Sequence, residues 1–166
     1  DAYAVQDRVR QLWGERVVAW KAGATALPVQ QKFGLGEPFA GPVFAPDMAE
    51  SPARLPAARF AHLALESEFA FRIGRPLAPR AALYSREEAL AAVDALVPAI
   101  EIVNPRFESL PFGRGTTAVA DCAVNGGLVT GEPVTDFRDL DLAAHAVRLE
   151  VNGETKAQGT GALVLG

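Results

Sequence analysis

Three glutamates and one lysine sit in stretches of chain where charge is out of place. In residues 59–74 the apolar side chains alternate, with Ala61, Leu63, Leu65, Phe69, Phe71 and Ile73 on one strand face and only Ser67 interrupting. The opposite face carries Phe60, His62, Ala64, Glu66, Glu68, Ala70 and Arg72. Glu66 and Glu68 are two apart, so both project from one face, about 6.6 Å apart at the backbone. Like charges at that spacing repel unless something positive lies between them, and an oxygen-preferring divalent cation, Mg²⁺ or Mn²⁺, would supply it. Glu101 interrupts a second apolar run, between Ile100 and Ile102. Three carboxylates from two strands predict a one-sided metal site, open to water or substrate. Lys21 is a further lone charge, inside the run Val17-Val18-Ala19-Trp20-Lys21-Ala22-Gly23. On spacing alone, a solvated strand face explains Glu66, Glu68 and Arg72 more simply, and a snorkelling stem explains Lys21 more simply. Glu101, flanked by isoleucines, is harder to dismiss.

The elements that must position these groups are legible in outline. Ala2, Val5, Val9, Leu12 and Trp13 fall at helical spacing, and Gly14 ends that helix. Residues 16–23 predict a short strand carrying Lys21. Residues 27–33 predict one or two helical turns, with Pro28 near the start and Gly34 at the end. The Gly- and Pro-rich stretch 34–56 reads as a long loop with a short strand at Val43 and Phe44, of the kind that is usually functional or mobile. Residues 59–74 form the strongest strand. Residues 85–96 predict an amphipathic helix with a capping box of Ser85 and Glu88. Strands follow at 98–103 and 128–131, and Asn152-Gly153 joins a hairpin of 146–151 and 154–165. The mixture gives an α+β class with no regular βαβ alternation.

Composition narrows the function. The chain has 166 residues, a formal charge of −4, 49% hydrophobic and 22% charged residues, which is the make-up of one ordinary globular domain. A mildly acidic balance without a basic run argues against nucleic acid or an anionic membrane as partner. No apolar stretch approaches the roughly 20 residues needed to span a bilayer. The single cysteine, Cys122, has no partner for an internal disulfide, so a reducing, cytoplasmic setting is expected. The chain opens on Asp-Ala-Tyr without a Met and stops on Val-Leu-Gly, which predicts a piece of something longer. There is no nucleophile elbow and no P-loop, and the glycines at Gly34, Gly36 and Gly41 miss the dinucleotide spacing. With His62 and His145 as the only histidines, a histidine-rich zinc site is disfavoured.

An ordered series of segments then brings in a family. AYAVQ, VVAWKAGAT, VQQKFG, EPFAGPVF, LESEFAF, PAIEIVNPRF, VADCA, GGLVTG and GTGALVLG together resemble the fumarylacetoacetate hydrolase superfamily. The branch they resemble is that of the 2-oxopent-4-enoate hydratases and 4-oxalocrotonate decarboxylases of aromatic-compound degradation. The resemblance implies a mixed β-roll with flanking short helices, spanning residues 1–166 as a single domain that lacks N- and C-terminal parts. It implies Glu66, Glu68 and Glu101 as metal ligands for Mg²⁺ or Mn²⁺ and Lys21 as the active-site lysine. Two departures fall beside the site. Phe39 stands where the hydratases usually carry an Asp, and Cys122 replaces an amide after Asp121; Phe39, Asp121 and Cys122 are the positions expected to meet substrate.

The activity so implied is that of a metal-dependent lyase, a hydratase or decarboxylase, acting on 2-oxo or 2-hydroxydienoic acids. The partners expected are a small-molecule 2-oxo acid and further copies of the chain in a homo-oligomer. The Phe39 departure weighs against hydration and leaves decarboxylation open. Two other readings stay open: a metal-dependent acylpyruvate-type C–C hydrolase, and a non-catalytic paralogue that binds only a ligand or partner.

Overall fold

A computed structural model describes residues 1–108 and 115–164 of the chain. Helix α1 (Ala2–Trp13) starts on Asp1, whose carboxylate accepts the Tyr3 N–H at 3.0 Å, and stops on Gly14 in the left-handed region. Strand β1 (Val17–Gly23) carries Lys21 and is followed by α2 (Leu27–Phe33), which Gly34 closes at φ 64°. The next stretch is more ordered than the long loop expected, and the short strand expected at Val43 and Phe44 is the end of a longer one. It contains β2 (Phe39–Phe44), a 3₁₀ turn at Ala45–Asp47 and β3 (Met48–Glu50). Tertiary pairing makes these strands: β2 runs antiparallel to β1 with Lys21 opposite Gly41, and β3 runs parallel to a later strand.

Strand β4 (Ala64–Ile73) is shorter than the run 59–74, because Ala57–Arg59 form a 3₁₀ turn instead. Helix α3 (Arg86–Ala92) shows the expected capping box, with the Glu88 N–H donated to Ser85 Oγ and the Ser85 N–H to the Glu88 carboxylate. It ends four residues earlier than predicted. Val93–Leu96 belong to β5 (Val93–Val103), where Phe71 pairs with Leu96 and Ile73 with Val93. Ladder bonds to a ten-residue neighbour outweigh the helical propensity of Ala95 and Leu96. Helix α4 (Gly115–Ala120), which no sequence pattern announced, leads through a 3₁₀ turn at Cys122–Val124 into β6 (Asn125–Thr130). The last unit is the expected hairpin of β7 (Ala146–Val151) and β8 (Glu154–Thr160). Asn152 and Gly153 have φ of 55° and 81°, the signs a two-residue type I′ turn requires. Here β8 gives way to a 3₁₀ turn at Gly161–Leu163, and Leu165 lies outside the described residues.

The class is α+β. A four-stranded mixed sheet of order β3-β6-β5-β4 lies at the centre, with two-stranded sheets β1-β2 and β7-β8 beside it. Strand β5 is the spine: Ala95, Val97, Ala99 and Glu101 alternate along one face and are buried, while a register shift near Asp94 turns Val93 to the other face, where it packs with Leu96 and Phe137. Buried Val43 and Phe44 of β2, Ala118 and Val119 of α4 and the Cys122–Val124 turn complete the interior. Gln6 ties three elements together, its side-chain amide donating to the carbonyls of Ala40 (3.1 Å) and Val119 (2.8 Å). Much of the apolar face of α1 is exposed, including Val5, Leu12 and Trp13. Among the described residues, no helix is long and apolar enough to cross a membrane.

Candidate metal centre

The antiparallel register of β4 and β5 places Glu66 directly opposite Glu101, so both point to the same side of the sheet. Glu68, two residues along β4, joins them on that side. One carboxylate oxygen from each lies within 4.8 Å of the others. The three differ in burial: Glu66 is exposed, Glu68 is intermediate and Glu101 is buried. The cluster is therefore a well with an open mouth. Its floor is Glu101, whose side chain is only 3% exposed.

Lys21 reaches that floor from β1. Its ammonium donates to Glu101 Oε1 in a close ion pair and to the carbonyl oxygen of Ala123 at 3.2 Å. Glu101 and Lys21 are thus not solvated strand charges, whereas Glu66 stays exposed at the mouth. Burial raises the Glu101 carboxyl above its ordinary range, with Lys21 as the main opposing influence. Glu68 is pushed up to about 7, first by burial, then by the charges of Glu101 and Glu66, and against the pull of Lys21. With all three carboxylates ionised, one ammonium leaves a deficit of two positive charges, which one divalent cation cancels. The spread of the oxygens also suits such an ion, since ligands at about 2.1–2.4 Å on opposite sides of it lie about 4.2–4.8 Å apart. The donor set is all oxygen, which selects Mg²⁺, Mn²⁺ or Ca²⁺ over thiophilic metals.

The remaining expected site residues lie around β1, β2 and the 3₁₀ turn. Phe39 pairs with Gly23 two residues from the Lys21–Gly41 pair, and its ring fills the space a Cβ at Gly23 would need. Asp121 carries no free carboxylate: Arg106 donates to it from the backbone N at 3.0 Å and from Nε at 2.5 Å. Cys122 is buried, burial pushes its thiol up, and its carbonyl faces Gly41. Three contributors escaped the sequence reading: the Ala123 carbonyl, the space at Gly41 and the grip of Arg106. A backbone carbonyl has no sequence signal, and Arg106 showed only as one charge after Asn104-Pro105. The open groove lined by Leu65, Ile100, Ile102 and Val129 lies on the other side of the sheet from Glu101.

The chain is 35% identical over 169 residues to 2-keto-4-pentenoate hydratase 1 of Dechloromonas aromatica, covering 99% of this chain and 63% of that protein. It is 32% identical over 171 residues to a 4-oxalocrotonate decarboxylase of Pseudomonas, covering 100% of this chain and 63% of that one. The chain is thus similar to these hydratases and decarboxylases along nearly its whole length. No family model matches it. The 4-oxalocrotonate decarboxylase of Pseudomonas putida G7, solved with magnesium and adipate, superimposes with a TM-score of 0.87 at 27% identity, over 99% of this chain and 63% of that one. The same decarboxylase solved with calcium and acetate gives 0.85. The chain spans just under two thirds of the length of the relatives it matches.

Proposed function

We propose that this chain is a divalent-metal-dependent lyase, a hydratase or decarboxylase acting on 2-oxo or 2-hydroxydienoic acids of aromatic-compound degradation. One observation carries the reading: three carboxylates converge from two strands, and the only cation among them, Lys21, leaves two negative charges uncompensated. Glu66, Glu68 and Glu101 would hold Mg²⁺, with Mn²⁺ acceptable to the same oxygens. Bound there, the ion supplies Lewis-acid stabilisation of the enolate charge that a 2-oxo acid develops.

The rest is the work of the chain. Lys21, held with Nζ beside Glu101, would present a second positive charge, or a proton, to the developing anion. The buried floor at Glu101 keeps water from the deep side of the cluster, which strengthens each charge interaction there. Phe39 places an apolar ring, and no acid, at the position that bears an Asp in the hydratases, which favours decarboxylation over water addition. Asp121 and Cys122 shape the substrate side through the turn they belong to. The sheet arrangement is read as the mixed β-roll with flanking short helices, in a single domain of residues 1–166 that assembles as a cytoplasmic homo-oligomer.

The test is a panel of 2-hydroxydienoates, oxalocrotonate-like diacids and acylpyruvates assayed with Mg²⁺ or Mn²⁺, following CO₂ release against hydration. Glu66→Gln should weaken Mg²⁺ binding and abolish turnover. Full turnover in that variant, or in wild type with the metal chelated, refutes the proposal.

A further inference from the structure

Outside the acid cluster, the least expected backbone in the molecule is the turn of Cys122, Ala123 and Val124. Their φ values are 52°, 56° and 54°. Side chains with a Cβ avoid this left-handed region, and β-branched Val124 avoids it most. Nothing local in Cys-Ala-Val favours it, so surrounding structure must impose it. All three are buried, which packs the turn from its side-chain face. Beneath it lies Gly41, where an added Cβ would stand 2.2 Å from the Ala123 methyl and 2.8 Å from the Cys122 carbonyl oxygen. Gly41 is also the β2 partner of Lys21.

Backbone bonds hold the turn, with the Val124 N–H donated to the Asp121 carbonyl and the Asn104 N–H to the Val124 carbonyl, both at 2.9 Å, and one side chain spans its two ends. Arg106 Nη2 donates to the carbonyl of Asp121 at 2.5 Å, and Nη1 donates to the carbonyl of Asn125 at 3.0 Å. Its Nε and backbone N occupy the Asp121 carboxylate, which fixes the guanidinium plane. One planar fork therefore spans residues 121 and 125, and the three left-handed residues lie between. The middle one, Ala123, offers its carbonyl to Lys21.

We propose that Arg106 is a positioning residue for Lys21. By stapling the two ends of the left-handed turn it holds the Ala123 carbonyl in place, so that carbonyl and Glu101 together fix the ammonium. The importance of this to turnover rests on the reading of Lys21 as part of the reaction site; the staple itself does not. Arg106 acts without touching Lys21 or substrate.

Proton exchange at the lysine ammonium reads the staple directly, without metal or substrate. The chain has only three lysines, Lys21, Lys32 and Lys156, so [¹⁵N]lysine labelling gives a resolvable spectrum. Wild type should show one slowly exchanging ammonium, absent from Lys21→Arg. Arg106→Met should speed exchange of that ammonium tenfold or more while the amide spectrum of β4 and β5 stays in place. Adding Ala123→Gly, which is at ease at φ 56°, should recover part of the protection, a rescue that a general loss of packing would not allow. In turnover, Arg106→Met should lower kcat at least tenfold and leave Mg²⁺ affinity within about twofold. If Arg106→Met does not fold, Arg106→Lys decides, because an ammonium cannot span both carbonyls and should still loosen Lys21. Unchanged Lys21 exchange in whichever variant folds overturns the staple. Loosened Lys21 exchange supports the staple, and if wild type also binds no Mg²⁺, it is the lyase reading that fails.

Discussion

Replacing Lys21 by Met should expose how the buried acid is tolerated. Glu101 and Lys21 have side chains only 3% and 12% exposed, so the pair is cut off from most solvent screening. Removing one partner of such a pair leaves a buried charge without its counter-ion, at a cost of about 3–5 kcal/mol. For a chain of this size about 3 kcal/mol corresponds to a fall in Tm of about 6–12 °C. The cost should depend on pH with a definite sign. Burial already raises the Glu101 carboxyl in the folded chain, and Lys21 is the chief influence lowering it. Without Lys21 the folded form holds the Glu101 proton to still higher pH, whereas the unfolded chain releases it in the ordinary carboxylate range. Stability of Lys21→Met must therefore fall with rising pH, from that range up through the raised value. At pH 8 the full loss is expected; below about pH 4.5, with the acid protonated in both states, most of it should vanish. Urea unfolding of wild type and variant in chelator at pH 4.5, 6 and 8 measures this. Lys156→Met is the control, since its pair with Glu154 is exposed and worth less than about 1 kcal/mol. A loss under about 1 kcal/mol at pH 8, parallel to wild type across the range, would refute the account of a buried, mutually dependent pair.

Other outcomes follow from the same geometry. Mg²⁺ at about 100 times its Kd should stabilise the wild-type chain by about 2.7 kcal/mol, seen as a rise in Tm that Glu101→Gln removes. Because Glu68 is pushed up to about 7, it should lose a proton when the cation binds. Mg²⁺ affinity should then rise as pH increases through about 7, and calorimetry in buffers of different ionisation enthalpy should record net proton release. Gly41→Ala should cost about 1–3 kcal/mol by overpacking against the Cys122–Val124 turn, and an unchanged unfolding midpoint would contradict that contact. The Cys122 thiol, buried and pushed up by that burial, should react with a disulfide reagent at pH 8 only as fast as the chain opens.

The chemistry was more legible in the sequence than the scaffold. Period-two alternation put Glu66 and Glu68 on one side, and the apolar neighbours of Glu101 and Lys21 marked charges that need partners. The ends of α1 and α2, the capping box of α3 and the Asn152-Gly153 turn were legible because each is a local contest between a few backbone groups. The Val43–Phe44 end of β2 was legible, but the rest of β2 and all of β3 were hidden because Gly41, Pro42 and Pro46 look like loop residues until β1 and β6 supply their neighbours. The overrun of α3 into β5 has the same origin: Val93–Leu96 suit either state locally, and the ladder with β4 decides. The left-handed turn at Cys122–Val124 packs on Gly41 and is bonded at both ends by Arg106, partners outside the turn itself, and no residue in it signals that backbone.

The facing of Glu66 and Glu101 also bears on how the strands find their alignment during folding. Directly opposed like charges disfavour a pairing, so the native alignment of β4 with β5 is penalised at that point in the absence of a cation. A shift of β4 by one residue would relieve the repulsion but turn its Leu65 and Phe69 over to the opposite face. A divalent ion bridging the acids rewards only the alignment in which both strands present them together. The same three carboxylates would then serve as a register pin, and slowly exchanging amides at the middle of β4 and β5 should depend on the ion more strongly than those of the β7–β8 hairpin.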